Sequence, residues 1–270
     1  MNSTSSAAEK KDEASVLDQF VFVSGAPRSG TTYISDWLTQ LPDTYCVHEV
    51  LADLKDCPEQ DVMPALLDYA RTGQDRHGKA LQHEFLSWPD GGLEKADPRV
   101  LGWKEPITWG RGGIPAAPRP LGEALRDHCQ SCVFTVRHPF DVVASGRRRE
   151  ARTSNWRPLT AEEHCGYWLS AFDMIRELTD LGKNVLVLRW EDLISDPDTG
   201  GAQLGELVGT QLPSFSGYER NAEELRSFRE CVDPARGLAG HPSRVFLTSD
   251  DEREIRKVLA TEAAEFGYEL

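Results

Sequence analysis

No apolar run in this sequence approaches the roughly 20 residues that a membrane-spanning helix needs, so no segment reads as one. Met1 to Ser15 is polar and lacks the apolar core of a signal peptide. The expectation is a disordered tail over residues 1–17, a single domain over 18–270 and a cytoplasmic protein. Positive charge is scarce as well. Thirty Lys and Arg face 44 Asp and Glu, a formal net charge of −14. That balance argues against a general nucleic-acid or anionic-membrane surface and tilts towards a cationic or neutral partner. A basic site must be a local exception. The six cysteines, Cys46, Cys57, Cys129, Cys132, Cys165 and Cys231, are scattered. Cys129 and Cys132 form one CxxC without partner ligands, and packing explains it better than metal or redox chemistry. No metal cluster, internal repeat or sustained heptad is visible.

What is present is an alternation of strand-like and helical segments. It argues for an α/β fold: a single domain with a mainly parallel central sheet flanked by helices. At 270 residues the chain can bury a substantial core. Leu159 to Leu181 reads as a long helix, with Thr160 and Glu163 as a capping box and Gly182 as its stop. Its aromatics Tyr167, Trp168 and Phe172 read as core. Gly110 to Pro120 is rich in breakers and reads as a loop.

The most informative stretch is Phe20 to Thr32. Phe20 to Val23 reads as a buried strand, Gly25 to Gly30 as a tight turn, and Thr31 to about Leu41 as a helix. A strand, a glycine-bearing loop and a helix N-terminus make an anion cradle, with backbone N–H groups aimed at the ligand. Thr31 and Thr32 add hydroxyls, and Arg28 adds a planar cation. A nucleoside-triphosphate loop needs Gly-Lys before its Ser/Thr. Here Gly25 and Gly30 are correctly spaced, but Thr31 stands in the lysine position.

A second segment points the same way. Ser131 to Arg137 reads as another buried strand, running into His138-Pro139 and a helix from about Phe140 to Glu150. Arg137 leaves the carboxyl end of that strand. Ser145 and Arg149 follow one helical turn apart, an i,i+4 pair, and together the three offer charge-assisted bonds to one dianion. By itself, Arg147-Arg148-Arg149 would read as a solvated basic face.

Pro27-Arg28-Ser29-Gly30-Thr31-Thr32 resembles the 5′-phosphosulfate loop of sulfotransferases that use 3′-phosphoadenosine-5′-phosphosulfate (PAPS), in the form found in tyrosylprotein and many bacterial members. The spacing of Arg137, Ser145 and Arg149 resembles that family's 3′-phosphate site. The resemblance runs from about Gln19 to Leu270. Val185 to Trp190, then Glu191-Asp192-Leu193, resembles the family's strand ending in an aromatic-Glu-Asp-Leu turn. Arg236-Gly237-Leu238-Ala239-Gly240 resembles, loosely, the late loop that closes over the cofactor. Leu51 to Val100 carries almost no signature.

The resemblance implies a P-loop NTPase-like sulfotransferase fold and transfer of a sulfuryl group to an acceptor hydroxyl or amine, with no metal. The product would be adenosine 3′,5′-bisphosphate (PAP). Arg28, Ser29, Gly30, Thr31, Thr32, Arg137, Ser145, Arg149, Trp190, Arg236 and Gly237 would bind the cofactor. Tyr33 would cover the adenine or pack in the core. Glu49 is the candidate base, at the tyrosylprotein spacing from Arg28 and in a similar Pro42-Asp43…Cys46 setting. A free glutamate titrates near 4.3, so it would serve well only if burial raised that value. His48 is the rival, and adjacent strand residues face opposite sides. Lys104, in Lys104-Glu105-Pro106, would assist Arg28. The acceptor reads as a small molecule, shaped by residues 51–100 and the Gly110–Pro120 loop. The oligomeric state is not legible. Two other readings stand beside this one: a P-loop kinase, and a sulfotransferase-like module that holds nucleotide without catalysis.

Overall fold

The structure, a computed structural model, describes residues 19–41, 44–54, 56–72, 99–109, 111–153, 157–212 and 222–270. The expected tail, Pro42 and Asp43, Gly110 and residues 73–98 of the acceptor stretch lie outside the described residues. Strands β1 (Gln19–Gly25), β2 (Thr44–His48), β3 (Val100–Lys104), β4 (Ser131–Val136) and β5 (Asn184–Arg189) form one sheet in the order β2-β3-β1-β4-β5. Every pairing is parallel. The helices are α1 (Thr31–Thr39), α2 (Leu51–Leu54), α3 (Glu59–Thr72), α4 (Gly113–Ala116), α5 (Arg119–Asp127), α6 (Pro139–Arg152), α7 (Ala161–Asp180), α8 (Trp190–Ser195), α9 (Pro197–Val208), α10 (Ala222–Cys231) and α11 (Ser249–Glu265). A short 3-10 turn spans Pro242–Phe246.

The period of two along β1 explains the layers. Phe20 and Phe22 face one side, against Leu66 and Tyr69 of α3, Leu121 and Leu125 of α5, and Met174 and Leu178 of α7. Val21 and Val23 face the other, against Ile34, Trp37 and Leu38 of α1 and Leu204 of α9. A sheet covered on both faces has strands that read as continuous apolar runs, which is why Phe20 to Val23 stands out. A third cluster ties Phe140 and Val143 of α6 to Trp168 and Leu169 of α7 and to Ile255 and Leu259 of α11.

The expected α7 is present, with the full Thr160–Glu163 capping box and Gly182 at φ 73° just beyond it. The Gly110–Pro120 stretch differs from expectation. It holds α4 and the first residues of α5. Pro120 lies in the first turn of α5, where a missing N–H costs nothing, so a breaker composition begins a helix here. Cys129 and Cys132 are free and buried, with Sγ atoms 3.5 Å apart. Among the described residues no helix is long and apolar enough to cross a membrane.

The strand order also locates a crevice. The chain leaves β1, passes β3 to reach β2, returns to β3, then passes β1 to reach β4. Connections on the two sides of β1 therefore run in opposite directions. In open parallel sheets ligands settle at such a point, outside the strands' carboxyl ends.

Candidate functional site

All five strands deliver a candidate residue or its segment to that edge. β1 opens into the loop Ala26–Gly30 and α1. Gly25 sits at φ 154°, and a side chain there would collide with the Thr135 carbonyl of β4. Gly30 caps α1 at φ 104° with no side-chain hydrogen bond to the first turn, and that turn holds no acid. The first turn of α1 therefore carries no carboxylate of its own to repel an anion. Ser29 is buried, and its hydroxyl lies 3.0 Å from that of Thr135, which ties the loop to the sheet. Thr31 is buried and Thr32 half-buried at the mouth.

Arg28 lies in the left-handed region at φ 74°, and Glu49 at φ 51°. Among the described residues these are the non-glycine residues with positive φ. Such a backbone costs of order 1 kcal/mol or more and persists only where the surroundings impose it. Both fall on residues that the sequence pattern had singled out for chemistry.

Arg28 Nε donates to Ser145 Oγ at 3.1 Å, and Arg137 Nη1 donates to the Arg28 carbonyl at 3.2 Å. The loop, the end of β4 and α6 thus meet in one cluster. Arg149 stands half-buried one turn beyond Ser145.

Arg137 is held on every side. Its carbonyl accepts from Trp168 Nε1 at 3.1 Å. The next amide, His138 N, donates to Glu191 Oε1 at 2.9 Å, and Tyr268 OH donates to the same carboxyl at 2.7 Å. Burial pushes Glu191 up to about 7. The guanidinium lies between the rings of Trp190 and Phe228, at 5.6 and 5.7 Å. Arg137 is only 7% exposed, and its buried Nε has no hydrogen-bond partner among the described residues. A buried donor without an acceptor is costly, and an anion at the cradle's edge would supply one.

Trp190 has a different place from the one its motif implied. It is 2% exposed. Its ring lies under Gly30, where an added Cβ would come within 2.5 Å of it. Tyr33 meets that ring edge-on at 4.8 Å. Trp190 therefore supports the loop and Arg137 from beneath. Phe228, Trp168, Glu191 and Tyr268 were not legible as site residues. Only the aromatic-Glu-Asp-Leu turn gave any signal for Glu191.

On the other half of the edge, Lys104 Nζ, buried at the end of β3, pairs with Glu49 Oε1. The Glu49 amide donates to the Lys104 carbonyl at 2.8 Å. Sequence reasoning asked for a buried Glu49, but its side chain is 55% exposed. Lysine contact, rather than enclosure, orders this carboxylate. His48 is buried and turned towards α1, 3.8 Å from Asp36. The two neighbours part company because Glu49 lies just past the end of β2, in the left-handed turn at φ 51°.

The late loop docks on the start of α6. Gly237, at φ 62°, packs against the His138 ring with no room for a Cβ. Leu238 N donates to Asp141 Oδ2 at 2.7 Å, and Arg244 Nε to Asp141 Oδ1 at 2.5 Å. Arg236 is exposed and pairs with Glu269 at 3.2 Å, so its guanidinium is directed to the 268–270 segment. His138 is held near 4 by burial. Its Nδ1 accepts from Phe140 N at 3.3 Å, so the neutral ring carries its proton on Nε2, 3.0 Å from the Glu269 carbonyl.

No family model and no curated protein matches this sequence. Solved structures do. A sulfotransferase domain from the curacin biosynthetic pathway superposes with a TM-score of 0.52 at 17% identity, over 95% of this chain and 100% of that one. Mouse sulfotransferase SULT7A1, solved in complex with PAP, gives 0.50 at 12% identity, over 93% of this chain and 90% of that one. Near-complete coverage at so little identity is likeness of architecture. With a five-stranded parallel sheet and helices on both faces, this chain has the sulfotransferase fold.

Proposed function

We propose that the protein is a PAPS-dependent sulfotransferase acting on a small acceptor with a hydroxyl or amine. The observation that carries this reading is Arg137: a cation buried at the edge of a phosphate-type loop, with its buried Nε unmatched among the described residues and its carbonyl, neighbouring amide and ring faces all engaged. Such a seat suits a fixed dianion, here the 3′-phosphate, with Ser145 and Arg149 beside it. The amides at the start of α1, with Thr31 and Thr32, suit the 5′-phosphosulfate. The likeness to a structure that holds PAP supports the choice of nucleotide.

In this reading the acceptor oxygen attacks sulfur in line. Its proton passes to Glu49, the new S–O bond forms as the bond to the 5′-phosphate breaks, and the electron pair leaves on the bridging oxygen. PAP and the sulfated acceptor are the products. Arg28 and Lys104 offset the negative charge that gathers on that oxygen and on the sulfuryl group. Lys104 moves from Glu49 to the sulfuryl oxygens as substrate enters, which frees the carboxylate to take the proton.

Calorimetric titration with PAP, with 5′-AMP and ATP as controls, tests the proposal. Tight binding that needs the 3′-phosphate and weakens at least about 10-fold in Arg137→Ala upholds it. Magnesium-dependent ATP binding equal to or stronger than PAP binding overturns it and favours phosphoryl transfer. PAP binding without turnover of PAPS across phenols, sugars and amines would leave a nucleotide-holding module.

A further inference from the structure

Glu105 follows Lys104 directly and carries no role so far. It is 7% exposed. Its backbone is stapled to β1: the Glu105 amide donates to Val23 O at 3.1 Å, and Ser24 Oγ donates to Glu105 O at 2.7 Å. Its side chain reaches the opposite way. Oε2 accepts from the Leu51 amide at 3.2 Å and from Trp103 Nε1 at 3.3 Å. Trp103 is fully buried, so the carboxyl is aimed by a rigid wall.

Glu49 and Val50 lie between two anchors on the same strand end. One is the Glu49 amide on the Lys104 carbonyl, a contact open to any residue. The other is the Leu51 amide on the Glu105 side chain, which only a side chain of this length and acceptor chemistry can make. Glu49 itself is held at φ 51°, a conformation that relaxes when its flanks are released. We propose that Glu105 is a positioning residue: through the Leu51 amide it fixes the left-handed turn that presents the Glu49 carboxylate to Lys104 and the acceptor. The inference rests on the sulfotransferase reading for what Glu49 does, but not for how Glu49 is held. Glu105 is pushed up to about 8, chiefly by burial, so it is largely neutral at pH 7. A glutamine can then make the same two contacts through its carbonyl oxygen.

The experiment compares wild type with Glu105→Ala, Glu105→Gln and Glu105→Asp. Hydrogen exchange is followed on the peptide spanning residues 49–54, and PAP affinity by calorimetry. PAPS turnover is followed with the best acceptor found among phenols, sugars and amines. Expected for Glu105→Ala is exchange at Leu51 at least ~10-fold faster, kcat reduced about 10- to 100-fold as for a misplaced catalytic group, and PAP affinity unchanged within about twofold. Glu105→Gln should restore both exchange and kcat. Should Glu105→Ala not fold, Glu105→Asp, one methylene short, should lose protection that Glu105→Gln keeps. Unchanged exchange in a folded Glu105→Ala or Glu105→Asp overturns the proposal. So does an equal loss of PAP affinity, or a Glu105→Gln protein as impaired as the alanine variant. If wild type binds PAP but turns over no acceptor, the sulfotransferase reading fails while the exchange result still decides the role of Glu105.

Discussion

Arg137 and Glu49 leave the same edge of one sheet and are held in opposite ways. Arg137 is buried, flanked by two aromatic rings and anchored through its carbonyl and the next amide. Glu49 is exposed and held by a lysine, a backbone bond and, one residue on, the Glu105 contact. The difference fits two demands of the proposed sulfuryl transfer. A nucleotide that never changes rewards a seat built before it arrives, because ordering costs are then met in folding. A base that must release a lysine, meet an acceptor and later shed a proton cannot be walled in the same way.

The largest expected effect comes from removing charge at the transfer point. Arg28→Ala and Glu49→Ala should each lower PAPS-dependent turnover at least about 100-fold, the range for lost charge stabilisation or base catalysis. Near-full activity in a folded Glu49→Ala protein would withdraw its assignment as base. Next, Arg137→Ala should weaken PAP about 10- to 100-fold, the range for a charged hydrogen bond, and leave 5′-AMP almost unaffected. Calorimetry that found equal losses for both nucleotides would dissolve the contrast drawn here, since Arg137 would then serve the loop as a whole.

Gly30→Ala should cost about 1–3 kcal/mol of stability, from φ 104° and the collision with Trp190, seen as a lowered Tm. A pH-dependent effect on stability is expected from Glu105. Burial raises its carboxyl from 4.5 to about 8, with nearby Glu49 adding to the rise and Lys104 opposing it. The folded protein disfavours the charged form. Stability is therefore fullest below about pH 4.5 and falls as pH climbs towards 8. The Tm of Glu105→Gln relative to wild type should rise over that interval, and a flat difference would argue against a buried neutral carboxyl. Smallest of all, His48→Asn should keep turnover within about threefold, far short of the loss of a general base. A deep loss would transfer the base to His48.

The phosphate-loop half was readable because its information is local. An apolar run, two glycines and a helix start lie within 13 consecutive residues, and Arg137, Ser145 and Arg149 lie on one strand-to-helix junction. The seat of Arg137 was not readable. Trp168 lies 31 positions from it, Glu191 meets His138 across 53, and nothing marks an aromatic in a helix as the partner of a distant carbonyl. Trp190 was found by motif, yet its ring lies under the loop, a matter of packing that no spacing discloses. Nor does residue type announce a positive φ. Arg28 and Glu49 were chosen for their chemistry, and their shared backbone strain emerged only in three dimensions. The short helix within Gly110–Pro120 was hidden by a composition that belongs equally to loops and to first turns.

The bond between His138 and the Glu269 carbonyl spans 131 positions, and Tyr268 reaches Glu191 across 77. A ribosome makes the phosphate loop well before this clasp. A nascent chain that has just completed β4 holds the loop while the collar around Arg137 is still incomplete, because Phe228, the Gly237 turn and Tyr268 have not yet emerged. Long-range closures of this kind are slow to form. Competence to hold the proposed nucleotide should therefore follow closure of this clasp rather than formation of the first strand.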